Sequence, residues 1–279
     1  MATRFLTFIK IVTLSVIFLS FSIGLPLAKE TEERIQKDPN VQGKYEIPNY
    51  VLNITKDNTY PNPSQDLPML QPSELTKELL DSSKVKIENP DLIFMLNETS
   101  IKRPLLALGH RSTIYLGRWP LNYQSKETSV NWEYQKINTN FYDNRGGNAA
   151  YKIHYVQETQ KNVKGGLTAK IPNANQVKKM MLMEAAQKTN LPLSFETIVG
   201  AGTKKDQYYN IPHRRLGYLD CYATAVNEKG TVTYGEVYLV LKGKKKYINV
   251  KNVTSQGIGA WIPIQDYVSF KFTSVEAPR

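Results

Sequence analysis

The sequence predicts an α+β protein built mainly on antiparallel sheet, with one covering helix, short N-terminal helices and a proline-rich extended arm. Two observations carry the sheet. From Ile101 onward polar and apolar residues alternate between turn signals, and seventeen tyrosines suit half-buried strands, where the ring packs and the hydroxyl reaches water. One observation carries the covering helix: the segment QVKKMMLMEAAQKT places Val177, Met180, Met181 and Ala185 at helical spacing.

At the N-terminus Arg4 and Lys10 precede an uncharged apolar run from Ile11 to Leu27, and no acidic residue appears before Glu30. That layout predicts a signal peptide or an N-terminal membrane anchor over residues 1–28. Ala28 is the natural last residue of a cleaved signal, with Ser22 and Gly24 as an alternative small-residue pair. The protein is therefore expected to be extracytoplasmic, secreted or anchored at the cell envelope.

Residues 29–72 are expected to form an extended arm. Six of the fifteen prolines fall there, and proline biases the chain toward extended geometry. Interleaved apolar residues such as Tyr50, Val51, Leu52 and Ile54 suggest an arm laid across a domain rather than a solvated linker.

Residues 73–279 are expected to form a single domain. Ser73 is the expected N-cap for ELTKELLDSS, with Leu75, Leu79 and Leu80 on one face, and Pro90 opens a second short helix, DLIFMLNE. Strands are predicted at STIYLGRW, SVNWEYQKI, TNFYDN, AAYKIHYVQE and GLTAKI, with turns at Asn144–Gly147 and Lys164–Gly166. NEKG, between YLDCYATAV and TVTYGEVYLVL, reads as a hairpin turn. Asn173 or Asn175 caps the main helix, which ends near Asn190. GKKK then leads into KYINV, and YVSFKFTSV supplies a last strand.

Catalytic patterns are missing. His110, His154 and His213 are widely spaced, and there is no HExxH, paired CxxC or acidic calcium loop, so neither metal nor cofactor is expected. Gly200-Ala201-Gly202-Thr203-Lys204 is followed by polar KKDQYYN rather than a helix, which makes it a turn, not a phosphate cradle. Cys221 is the only cysteine, so no disulfide can form within one chain. In LDCYATAV it alternates onto a face with Leu219, Ala223 and Ala225, the pattern of a buried thiol. No GxSxG is present, and Glu133, Asp143, Glu158, Glu236 and Asp266 are equally arbitrary choices for a carboxylate pair.

The remaining signal is charge. The net balance is +11, and basic residues crowd the C-terminal part at Lys242, Lys244, Lys245 and Lys246, at Lys204 and Lys205, and at Arg214 and Arg215. These are the candidate ligand-binding residues, although lysines at sheet edges also discourage edge pairing. For an exported chain the available anions are a wall polymer, a lipid surface or an acidic protein, rather than nucleic acid.

The phrases TYPNPSQDLPMLQPSELTKELL and IENPDLIFMLNETSIKRPLLALGHRSTIYLGRWPL resemble the YfkD-like family of exported proteins from Bacillus and relatives. The resemblance implies a single exported domain with no catalytic residues to carry over. The expected function is non-enzymatic binding of an anionic envelope component or of another extracytoplasmic protein. The alternative is a cell-wall hydrolase using carboxylates, and a third reading is an inhibitor or chaperone using the arm and the Met-bearing helix.

Overall fold

The computed structural model describes residues 45–54, 71–101 and 111–278. The segment predicted to direct export lies outside the described residues. Among them no helix is long and apolar enough to cross a membrane.

The strands are β1 (Val51–Asn53), β2 (Arg111–Asp143), β3 (Tyr151–Val156), β4 (Lys161–Lys164), β5 (Gly166–Leu167), β6 (Glu196–Val199), β7 (Lys204–Ile211), β8 (Leu216–Lys242) and β9 (Lys245–Val275). The helices are α1 (Glu74–Asp81), α2 (Pro90–Asn97) and α3 (Ala174–Thr189). The main sheet is antiparallel with order β1-β9-β8-β2, and β5 adds a short pairing to β9. Two small antiparallel pairs, β3-β7 and β4-β6, stand beside it.

The predicted sheet-rich α+β class is what the chain adopts, but its strands are far longer than the alternation suggested. STIYLGRW, SVNWEYQKI and TNFYDN are not three strands; all belong to β2, 33 residues long. β2 follows β8 by inserting single extra residues at Leu116, Leu121, Lys126 and Ile137 and by setting three, Trp132, Glu133 and Tyr134, opposite Thr224, and at each of these places the register shifts. Such bulges bend and twist a strand without ending it. Leu121 and Ile137 are buried, so the insertions also feed the core.

NEKG is not a turn. Asn227–Gly230 runs straight through β8, paired on one side to β2 and on the other to β9. Glu228 faces inward, fully buried, and accepts hydrogen bonds from the Tyr123 hydroxyl at 2.9 Å and the Thr128 hydroxyl at 2.6 Å. Gly230 is needed for close approach rather than for a turn. A Cβ there would lie 2.4 Å from Tyr123 Oη and 2.2 Å from the Gln124 carbonyl oxygen.

The inward positions of β8 change parity twice. Leu219, Cys221 and Ala223 are buried, then Val226, Glu228, Val232 and Tyr234, then Val237 and Leu239. The changes coincide with the two irregularities in the β8–β9 register, at Ala223/Ala225 and Tyr234/Glu236. On β9 these intervals contain Asp266 and Asn252, both at positive φ. Polar Asn and Asp tolerate that conformation better than most residues.

The inward residues meet three apolar clusters. One joins α3, through Val177, Met180, Met181, Leu182 and Ala185, to Val226, Val232, Ile258 and Ile262. The Met stripe is thus core, not an open groove. A second packs Ile153, Tyr155, Val163 and Ile211 of the small sheets on Leu219, Cys221 and Phe270. The third sets Leu79 of α1 and Leu92 and Leu96 of α2 on Leu121, Val237, Leu239 and Ile248. A single covering helix is therefore too simple a description: α1 and α2 contribute to the cover as well, because the sheet extends well beyond the 16 residues of α3.

The caps follow the sequence closely. Ser73 Oγ accepts from the Thr76 amide at 3.2 Å, and Asn89 Oδ1 accepts from Asp91 at 3.0 Å with Pro90 behind it. α3 ends on Asn190 in left-handed geometry. Asn173 stands at its N-cap position but its side chain instead donates to the Arg118 carbonyl at 3.3 Å. Part of the proline-rich segment joins the sheet: Val51–Asn53 pairs with Tyr267–Ser269 as an edge strand.

Gly230→Ala is expected to cost about 1–3 kcal/mol through overpacking. Gly257→Ala, whose nearest neighbour would be 4.0 Å away, serves as the control with little effect. Urea unfolding midpoints of the two variants check this.

Candidate functional site

Cys221 is fully buried between Leu219 and Ala223 and packs in the second apolar cluster. Burial pushes its thiol well above the ordinary range, and a hydrogen bond with Tyr155 offsets this only in part. His154 lies on β3 between inward-facing Ile153 and Tyr155, and its ring packs edge-on against Tyr208 at 5.5 Å. His213 is exposed. His110 lies outside the described residues. No thiolate–imidazole pair is assembled from His154 or His213, because period-two alternation turns His154 away from the face that Ile153 and Tyr155 share with Cys221.

The carboxylate candidates sit in different local settings. Asp143 is held by Arg145 at 2.7 Å, which keeps its carboxyl below the usual range, and Glu133 faces Lys271 at 3.7 Å. Hydrogen bonds from Asn252 and Tyr238 lower Glu236. Asp266 sits at the β9 irregularity and Glu158 is exposed. Glu228, the most deeply buried carboxyl, was not singled out by sequence because NEKG reads as a solvated turn. It lies beneath Tyr123, which borders a cleft of about 130 Å³ with Glu88, Glu184, Met180, Met183 and Gln187. Burial and the Glu228 carboxyl together drive the Tyr123 phenol far upward, so it remains a protonated donor. Among the described residues no group of His, Cys, Asp and Glu could hold a metal ion.

The basic candidates separate into three places. Lys204 and Lys205 start β7, opposite Val156 and Tyr155. Arg214 and Arg215 precede β8; Arg214 has φ +63°, and Arg215 is tied to Glu276 at 2.9 Å. Lys242, Lys244, Lys245 and Lys246 lie at the other end of β8, some 27 residues away. The structure does not bring these groups together.

The third place is the most concentrated. Gly243, at φ +56°, and Lys244 form the two-residue turn between β8 and β9, so Lys242 and Lys245 are direct cross-strand partners. Arg111, which sequence reading missed, pairs with Lys242 from β2 and completes a cationic row across three strands. Lys246 is different: it turns to α1 and meets Glu78 at 2.9 Å. Among the described residues Arg111, Lys242, Lys244 and Lys245 have no acidic partner within ion-pair distance, and all four are exposed. Like charges directly opposite one another oppose pairing. Holding three cations in one row therefore works against local stability.

Sheet-rich α+β proteins are a broad class, and the comparisons narrow it. The family model described as YfkD-like protein matches residues 48–279. "Uncharacterized protein YfkD" of Bacillus subtilis (strain 168) is 64% identical over 236 residues, covering 85% of this chain and 89% of that protein. This chain belongs to the YfkD-like family. The crystal structure of lamprey immune protein aligns over 60% of this chain and 53% of its own at 7% identity, with a TM-score of 0.23. So slight a likeness carries no argument about fold or function.

The buried thiol gives a pH prediction. Below its ordinary value of 9.0 both folded and unfolded chains keep the Cys221 proton, and this part of the stability is constant. Above it only the unfolded chain releases the proton, so stability falls as pH rises. Tyr123 and Tyr155, also raised by burial, extend the decline beyond their ordinary value of 10.0. Urea midpoints measured from pH 8 to 10.5 are expected to fall, and less steeply for Cys221→Ala. A thiol reagent is expected to leave Cys221 unmodified in the native protein and to label it after unfolding.

Proposed function

We propose that this is an exported, non-enzymatic envelope protein whose domain binds an anionic envelope component through the β8–β9 tip. The observation that carries the reading is the cationic row Arg111–Lys242–Lys245 with Lys244 in the turn, which has no acidic partner among the described residues. Exposed cations with no local partner attract polyanions at long range, and their contribution falls as salt screens them. The apolar, uncharged segment near the N-terminus supports delivery to the envelope, where wall polymers and phospholipid headgroups supply the anions.

The finer architecture fits the same reading, with residues 73–279 as the binding domain and the preceding proline-rich segment as its extended arm. Lys204, Lys205, Arg214 and Arg215 belong to other parts of the molecule and are set apart from this site. The carboxylate-hydrolase alternative, which would draw on Glu133, Asp143, Glu158, Glu236 and Asp266, is the second reading; Glu133, Asp143 and Glu236 are each engaged by a local partner, Lys271, Arg145 and Tyr238.

The test is co-sedimentation of the domain with wall sacculi and with phosphatidylglycerol vesicles at low and high salt. Retention on at least one is expected, falling as salt rises. Lys242→Gln/Lys244→Gln/Lys245→Gln is expected to weaken it about tenfold or more, since each lysine near an anionic membrane contributes about 1 kcal/mol. Lys204→Gln/Lys205→Gln is expected to leave it unchanged. Retention that ignores the tip variant would sink the reading.

A further inference from the structure

The register places more than charge on this part of the sheet. Val237, Leu239, Ile248 and Val250 point into the cluster under α1 and α2. The intervening residues therefore share the opposite face. In successive rows across β2, β8 and β9 that face carries Arg111–Lys242–Lys245, Thr113–Val240–Tyr247 and Tyr115–Tyr238–Asn249. A fourth row carries Arg118–Glu236–Lys251. Tyr115 is 56% exposed, and its ring lies 5.1 Å from that of Tyr238 at 41°. Lys251 Nζ stands 5.0 Å over the Tyr238 ring. Glu236, the one acid in these rows, accepts from the Tyr238 hydroxyl at 2.9 Å and does not reach the tip row.

Two cationic positions, Lys245 at the tip and Lys251 further along, are therefore separated by tyrosines. Six residues of strand at about 3.3 Å each put their Cα atoms roughly 20 Å apart, and because Lys251 Nζ leans back over the Tyr238 ring its charge lies roughly 13 Å from the tip row. A single phosphate or headgroup cannot meet both. A flat lipid surface meeting the tip end-on would leave Tyr115 and Tyr238 roughly 13 Å back, four residues from Lys242. The turn itself offers lysine and glycine and no apolar side chain to enter a bilayer. What matches this face is a chain lying along it, with anions at intervals and ring C–H faces between them that pack on aromatic rings.

We infer that the Tyr115–Tyr238–Tyr247 face, between the tip cations and Lys251, binds a linear anionic glycan of several repeats. This rests on the tip reading above and specifies its ligand. The charges supply attraction and the tyrosines distinguish a ring-bearing polymer from any other polyanion. Length dependence follows from the spacing: affinity rises steeply until the oligomer spans roughly 13–20 Å and then levels off.

The test uses dextran sulfate oligomers of graded length, inorganic polyphosphate of matched charge as a ringless control, and phosphatidylglycerol vesicles. Tyr115→Ala/Tyr238→Ala is expected to weaken dextran sulfate binding about tenfold, the scale of aromatic packing contacts, and polyphosphate binding less than twofold. Tyr115→Phe/Tyr238→Phe keeps the rings and is expected to bind as the native protein does, with thermal unfolding showing that all variants fold. The tip variant Lys242→Gln/Lys244→Gln/Lys245→Gln is expected to lose both ligands. If it loses both while the alanine pair changes neither, the glycan inference fails and the anionic tip survives. Equal loss of dextran sulfate and polyphosphate by the alanine pair, no dependence on oligomer length, or tyrosine-dependent binding to vesicles alone would each overturn the inference. If the tip variant binds every probe normally, the tip reading falls as well.

Discussion

The structure depends on β8 being hydrogen-bonded on both sides from Leu216 to Lys242. A central strand of that length must keep an apolar face toward its covering layers while its sheet twists continuously. Strict alternation could not do so here against α3, the small sheets and the α1–α2 pair at once. The bulges of β2 and the irregularities of β9 at Asn252 and Asp266 supply the adjustment. Each lets the pairing continue while the inward parity is reset, so three separate clusters are served by one strand. Gly230 belongs to the same constraint, since the Tyr123 hydroxyl occupies the space beside its bare Cα on the way to Glu228.

This constraint explains what the sequence made legible. α1, α2 and α3 are announced by local chemistry: a serine cap, an asparagine–proline start, and a left-handed asparagine end. The β8–β9 turn falls at the glycine of the GKKK run, where Gly243 takes a positive φ. The long strands were hidden because period two breaks at every inserted residue, so one 33-residue strand looks like several short ones. NEKG misled for a related reason. Its Glu and Gly have turn chemistry, but here they satisfy a buried tyrosine and make room for its ring.

The same division applies to the candidate site. Four lysines around residue 243 were visible as a run, whereas Arg111 and Tyr115 reach them only through pairing across more than a hundred residues. Once Gly243-Lys244 is fixed as a two-residue turn, Tyr238, Val240, Tyr247 and Asn249 follow by counting outward from it. The register of β2 does not follow, because Leu116 interrupts the count. Arg214 and Arg215 share the C-terminal part of the sequence with the lysine run, but the length of β8 sets the two groups at opposite ends of that strand.

The two-residue turn at Gly243-Lys244 has a further consequence, which is kinetic. Its flanking residues are a few positions apart, so bringing them together costs the least loop entropy of any pairing in the main sheet. β2 must search across a far longer chain segment before it can dock on β8. Assembly of the sheet is thus favoured to start at the turn and zip outward, with β2 arriving late. The starting point is also where Lys242 and Lys245 repel each other directly. The speed of the first event in building this sheet is therefore tied to the ionic strength around it.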